Sequence, residues 1–416
     1  MKSETCFRWL LIPALIVVLA AGFSVPSAMA EKVIIGALND MTGATSDVGK
    51  DYALGIAEAY RYVNDNGGIN GKEIKLYQFD YGYRIPEALT KYNLFKRLKC
   101  SLVQGWGTGD TEALSPTVTK DKMPYVSASY SAHLTDPKKT PYNLFFSTDY
   151  STNARAALTA WYDKVWPTKA DYQKRKPRFL CSYMFASPYC SAPIKAVKDQ
   201  AVLLGFEVGP DQDVSLLALD TKSQVLGMKD FKPDVVWHGN TTMSVAATLR
   251  DAYALDLGAD HIINNWGFDE NLPRLAGEAA EGAIGAAPCA FFGENVPLMD
   301  KVMEYAKKYN PGIPAEKRLI RTIQGWGNVL IATEAMKRAD KEGSLAGEGI
   351  LKKGFETMAD WPIGLGASPV TYTATDHRPA GQVNIYKWEK GKFDLLERVD
   401  MKGRWSEKWE KEWLGW

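Results

Sequence analysis

The apolar positions near the start of the chain change their period twice. Val33 to Leu38 is a continuous apolar run of strand length, and Asn39 to Lys50 is polar and punctuated by Gly43 and Gly49. From Asp51 the apolar residues Tyr52, Leu54, Ile56, Ala59, Tyr60 and Val63 recur at helical spacing, and Asn66-Gly67-Gly68 supplies the stop a helix end needs. Ile74, Leu76 and Phe79 then alternate with polar neighbours, which predicts a second strand. Strand, crossover helix and parallel strand make a right-handed unit that presents ligands at the carboxyl ends of its strands.

The rest of the chain varies this theme. Helical spacing over Pro86 to Leu98 precedes a strand at Cys100 to Gly105, and the turn Gly105-Trp106-Gly107-Thr108-Gly109-Asp110 opens a helix through Thr119. Met123 to Ala128 is the next strand, ending in Ser127-Ala128-Ser129-Tyr130-Ser131. Asn143 to Thr148 leaves no room for a further crossover and reads as a first link into a second αβ unit. That unit alternates strands at Arg178 to Tyr183, Phe206 to Gly209, Asp234 to His238 and His261 to Asn265 with amphipathic helices. Ala283 to Phe292 reads as a return link, and Trp361 to Asp400, rich in strand residues and turns, as a third crossing. Two doubly wound αβ lobes joined by three links can shut about a hinge while each stays rigid.

Gly105 to Asp110 carries the clearest chemistry. Glycines with a hydroxyl residue between a strand and a helix leave backbone N–H groups at the positive end of the helix dipole, an arrangement that binds anions. Thr111 is an alternative helix cap there. The spacing is not the G-x-G-x-x-G of a dinucleotide fold, and no G-x-S-x-G elbow marks a hydrolase, so the chain is read as a binding protein without catalytic residues or cofactor.

The run VNDNGGINGKEIKLYQFD, with the later Gly277 to Gly282 stretch, resembles the extracytoplasmic solute-binding proteins of branched-chain amino acid ABC transporters. The resemblance implies the type I periplasmic binding protein fold, two Rossmann-like lobes joined by three hinge strands. Its expected limits are a signal peptide at 1–30, a first lobe at 31–148 plus 284–358, a second at 149–283 plus 359–400, and a tail at 401–416. It implies that Thr108 with the N–H of Gly109 holds a ligand carboxylate, that Ser129 and Ser131 hold an amino group, and that Tyr189 reaches in from the second lobe. Val48 and Trp106 match lining positions. One position departs from the pattern: where amino acid binders place an acid, this chain has Asn264-Asn265-Trp266, with Asp269 and Glu270 several residues later. An unpaired ammonium buried there costs several kcal/mol. Asn265 and Trp266, with Tyr81, Tyr83, Tyr130 and Tyr189, therefore point to an aromatic or apolar acid beside the amino acid expectation. Arg84 and Arg321 are placed where a second anion clamp could form, and are read first as surface ion pairs. A small carboxylate ligand and a membrane permease are the implied partners of a monomer. The same fold serving a signalling receptor is the alternative.

Composition narrows the setting. With 416 residues, 46% hydrophobic, and a formal net charge of +1, the chain is long enough for two domains and has no basic footprint for nucleic acid. Lys2 and Arg8, the apolar stretch Trp9 to Phe23 and Ala28-Met29-Ala30 lay out an export signal cleaved after Ala30, which places the protein in the periplasm. Of the cysteines, Cys100, Cys181, Cys190 and Cys289 follow the signal. Cys181 and Cys190 bracket a strand end and a helix start and are read as a bridge, or with the others as small buried thiols. His133, His238, His261 and His377 show no metal-ligand spacing, so no metal is expected. Trp405, Trp409, Trp413 and Trp416 fall at helical spacing, either for a partner or membrane or for packing on their own domain.

Overall fold

The opening unit forms as its periods dictate: β1 (Val33–Asn39), α1 (Ser46–Asp65) and β2 (Ile74–Asp80), with Val33 beside Ile74 in parallel register. α1 ends at Gly67-Gly68, and Gly68 is at φ +60 where a Cβ would meet the Lys72 carbonyl oxygen at 2.1 Å, so the turn demands glycine. The computed structural model describes residues 32–416, and the export signal expected over 1–30 lies outside the described residues.

Next come α2 (Ile85–Arg97), β3 (Leu102–Gly105), α3 (Thr108–Asp121), β4 (Tyr125–Ser127) and β5 (Asn143–Leu144). They complete a parallel sheet of order β2-β1-β3-β4-β5. The chain then crosses to α4 (Tyr150–Lys164), β6 (Arg178–Tyr183), α5 (Pro188–Ser191), α6 (Ile194–Leu203), β7 (Glu207–Val208) and β8 (Gln212–Asp213). α7 (Lys222–Phe231), β9 (Val235–His238), α8 (Thr242–Ala254), β10 (Asp260–Ile263), α9 (Asn271–Ala276) and β11 (Ile284–Ala287) follow. α10 (Met299–Tyr309) and α11 (Ile320–Lys341) return to pack on α1, and β12 (Gln382–Glu389) and β13 (Lys392–Asp400) close the second sheet antiparallel to β11. That sheet runs β13-β12-β11-β10-β9-β6-β7, with β8 beside β6. These are the two doubly wound lobes and three crossings that the alternation predicts. The crossings run together, since Phe146, Thr148, Ala287, Pro288, Ala380 and Gln382 line one crevice.

Hydrogen bonding moves the expected lobe limits. Ile284–Ala287 is strand β11 of the second sheet, so the chain returns only after Ala287. Residues 359–381 do not start the second lobe, because Tyr372 packs on Phe355, its hydroxyl donates to the Phe145 carbonyl oxygen at 2.8 Å, and the His377 N–H donates to the Thr135 carbonyl oxygen at 3.1 Å. The expected Cys181–Cys190 bridge is absent: both thiols are buried and free, Cys181 inside the second-lobe core and Cys190 against the aromatic core of the cleft. The tail packs mainly on the second lobe, with Trp409 and Trp413 buried in its core, while at its end the Gly415 N–H donates to Thr135 Oγ1 at 3.2 Å and Trp416 meets His133 of the first lobe edge-on. No helix among the described residues is long and apolar enough to cross a membrane.

Candidate ligand-binding site

β3 delivers the chain to Gly107, which precedes the first turn of α3. A Cβ at Gly107 would stand 2.4 Å from Asp110 Oδ1 and 2.5 Å from the Tyr83 ring, so only glycine lets the turn approach them. Thr108 starts α3 with its hydroxyl 2.8 Å from the Ser129 hydroxyl at the end of β4. Thr111 donates to the Gly107 carbonyl oxygen and pairs with Ser127, so it serves the turn. From the second lobe α5 presents Tyr189, whose hydroxyl donates to Asn264 Oδ1 at 2.7 Å. The loop after β10 sends Trp266 across the interface, its Nε1 donating to the Tyr150 hydroxyl at 2.9 Å.

These groups enclose a cavity of about 20 Å³ lined by Val48, Trp106, Gly107, Thr108, Tyr189 and Trp266 together with Thr45, Tyr83, Ala128, Tyr150 and Thr241. Ser129 stands behind Thr108, orienting its hydroxyl. Besides Ser129, which does not line the cavity, three expected residues lie elsewhere. Gly109 faces Ile85 and Pro188 in a neighbouring cavity. Ser131 turns away to donate to Glu112 at 3.0 Å. Asn265 offers its carbonyl oxygen to Arg321, while its side-chain oxygen and nitrogen are buried without partners, outside the cavity lining. Tyr150 and Thr241 carry no signal in a linear reading, because each is the first or preceding residue of an ordinary helix. The hinge and the closing of the lobes bring them in.

No carboxylate or cation lines this cavity. Asp269, the nearest substitute for the missing acid, is fully engaged: it accepts from Arg321 Nε and Nη2 at 3.2 and 3.1 Å, Thr242 Oγ1 at 2.7 Å and the Asn271 N–H at 3.0 Å. Arg321 is therefore not a surface residue; it is wholly buried and lies 5.1 Å over the Trp266 ring. Since α11 packs on the first lobe and Asp269 follows β10 of the second, this ion pair ties the lobes together. Glu270 adds a second tie, accepting from Ile320 N–H at 2.9 Å at the start of α11, and burial pushes its carboxyl up to about 7. Asp47 of α1 accepts from Met243 N–H at 3.1 Å in the first turn of α8, and burial raises it to about 6. Under the anion turn, Tyr81 donates to Asp110 at 2.6 Å, and burial pushes Asp110 to about 7.

Comparison places this geometry among known proteins. A family description, periplasmic binding protein, matches residues 32–392. The Leu/Ile/Val-binding protein of Escherichia coli is 22% identical over 290 residues, covering 68% of this chain and 75% of its own. An ABC transporter substrate-binding protein from Aeropyrum pernix is 30% identical with a TM-score of 0.79, over 89% of this chain and 96% of that one. A branched-chain amino acid ABC transporter protein from Thermus thermophilus, solved with bound valine, is 22% identical with a TM-score of 0.82, over 91% and 99%. With two lobes shut over a cavity at the strand ends and a family match over most of its length, the chain belongs to the periplasmic binding proteins of the ABC-transporter solute-binding type.

Proposed function

We propose that this protein captures a small monocarboxylate with an aromatic or apolar body in the periplasm and hands it, as a monomer, to an ABC permease. The observation that carries the reading is the cavity wall: the first turn of α3 and the hydroxyls of Thr108 and Tyr150 suit a carboxylate, while no acid faces the cavity for an ammonium. Because Asp269 is consumed by Arg321, an α-amino acid entering here leaves its charge unpaired. At about 20 Å³ the cavity holds little more than a water, which needs about 10–15 Å³. The ligand therefore enters with the lobes apart, between rings that shift to take it. Beyond Tyr83 a second cavity of about 250 Å³, lined by Ile85, Met184, Pro188 and Leu216, supports room for an apolar body.

A thermal-shift panel of aromatic and aliphatic monocarboxylates against leucine and valine tests the reading. The acids raise the melting temperature more than either amino acid; a larger shift with leucine or valine overturns it. Thr108→Ala weakens the best acid about tenfold or more, the loss of one charge-assisted hydrogen bond, measured by calorimetry.

Asp110 adds a pH signature. A ligand carboxylate at the α3 turn disfavours a second negative charge beneath it, so binding draws a proton onto Asp110, which titrates at about 7 in this structure. Affinity is therefore full below that value and is lost as pH rises through it, by about tenfold for each pKa unit of coupling. Calorimetry from pH 6 to pH 8 shows this decline in the wild type and a shallower one in Asp110→Asn, which keeps only the contribution of the closure contacts Glu270 and Asp47.

A further inference from the structure

Among the described residues four arginines are buried, and three have their acids: Arg318 with Glu58, Arg321 with Asp269 and Arg378 with Asp376. Arg155, in the second turn of α4 and 3% exposed, has none. Its Nε is buried without a partner, and among the described residues no carboxylate pairs with its guanidinium, Asp199, Asp149 and Glu412 acting on it only at longer range. The Trp413 indole lies 4.4 Å from the guanidinium carbon. Burial lowers Arg155 only to about 10, so it stays cationic at neutral pH. A desolvated cation with no directly paired acid is costly, and this one borders two adjoining cavities of about 370 and 480 Å³.

The first cavity has walls from both lobes, with Glu112 and His133 on one side, Pro188 and Ala192 on the other, and Trp416 shared with the second cavity. Lys195 is already held by Asp199 at 2.6 Å and Lys408 by Glu412 at 2.9 Å, which leaves Arg155 as the unpaired lysine or arginine of these two linings. With Asp199 and Glu412 paired to lysines, Glu112 is the wall acid that opposes a second negative charge on any guest. We propose that Arg155 anchors a second anion site, separate from the cleft cavity, which takes a small monocarboxylate with its apolar part against Trp416 and Pro188. A planar guanidinium meets a carboxylate through two parallel N–H bonds. Because both lobes wall the groove, occupancy there and lobe closure are thermodynamically linked.

The test titrates isobutyrate and, separately, inorganic phosphate at constant ionic strength into the full chain by calorimetry. Wild type shows a saturable isobutyrate site that persists in Thr108→Ala. Arg155→Met weakens it about ten- to a hundredfold, the equivalent of one charge-assisted contact. Ala192→Phe, which obstructs the groove and leaves the charge in place, does the same and guards against misfolding of the arginine variant. Phosphate binds at least about tenfold more weakly, because its second charge meets Glu112. Absence of saturable isobutyrate binding in the wild type overturns the proposal, as does binding that survives both groove variants when each is combined with Thr108→Ala, or phosphate binding the more tightly. Loss in Thr108→Ala alone overturns it too, while leaving the cleft reading intact.

Discussion

Arg321→Met lowers ligand affinity by about two to three orders of magnitude while leaving the melting temperature of the ligand-free protein nearly unchanged. In the closed arrangement Asp269 is wholly buried and takes two of its hydrogen bonds from the Arg321 guanidinium, with Thr242 and Asn271 supplying the others. Removing the cation leaves an uncompensated buried charge, a cost of about 3–5 kcal/mol. Asp269 belongs to the second lobe and Arg321 to the first, so with the lobes apart water solvates the carboxylate. The cost therefore falls on closure. The same substitution orphans the carbonyl oxygens of Asn265 and Phe268, which Arg321 also serves. Calorimetry on the best ligand beside differential scanning calorimetry without ligand checks the separation. The double variant Arg321→Met/Asp269→Leu recovers part of the affinity, because an apolar pair carries no buried charge. A fall of only a few fold in Arg321→Met, or an equal loss in ligand-free stability, sinks the idea that this pair is a closure contact.

Trp266→Ala costs a similar amount by a different route. The indole hangs from the second lobe yet is buried among first-lobe rings: Trp106 at 4.9 Å, Tyr130 stacked at 5.6 Å and Tyr52 at 6.1 Å between centroids. Truncating a buried tryptophan leaves a cavity worth about 3–5 kcal/mol, and here it also removes the Nε1 bond to Tyr150 and a wall of the cleft cavity. Affinity drops by about two to three orders of magnitude, and small-angle scattering shows ligand-dependent compaction in the wild type and none in the variant. Trp266→Phe keeps most of the filling and gives up the Tyr150 hydrogen bond, for a loss of about 1 kcal/mol. If Trp266→Ala compacts normally with ligand, the ring is a passenger and the cleft is closed by other contacts.

The linear chain was informative wherever a local period or a turn decides the outcome. The strand run at Val33, the helical spacing from Tyr52 to Val63 and the stop at Gly67-Gly68 each express a preference that neighbours in sequence satisfy among themselves. The anion turn is legible for the same reason, since Gly107 and Thr108 need only their place between a strand and a helix. Lobe limits were harder, because residues 359–381 pack on one lobe while leading into a strand of the other.

Sequence by itself determined the alternating αβ architecture, the exported setting as an expectation and the turn at Thr108, because those rest on patterns a few residues long. Only the tertiary structure decided that Asp269 answers to Arg321, 52 residues on, that Ser131 faces Glu112 rather than the cleft, and that Arg155 has no acid of its own. Charge pairing and burial depend on which distant segments meet when the two lobes come together, and nothing in the spacing of a single stretch records that meeting.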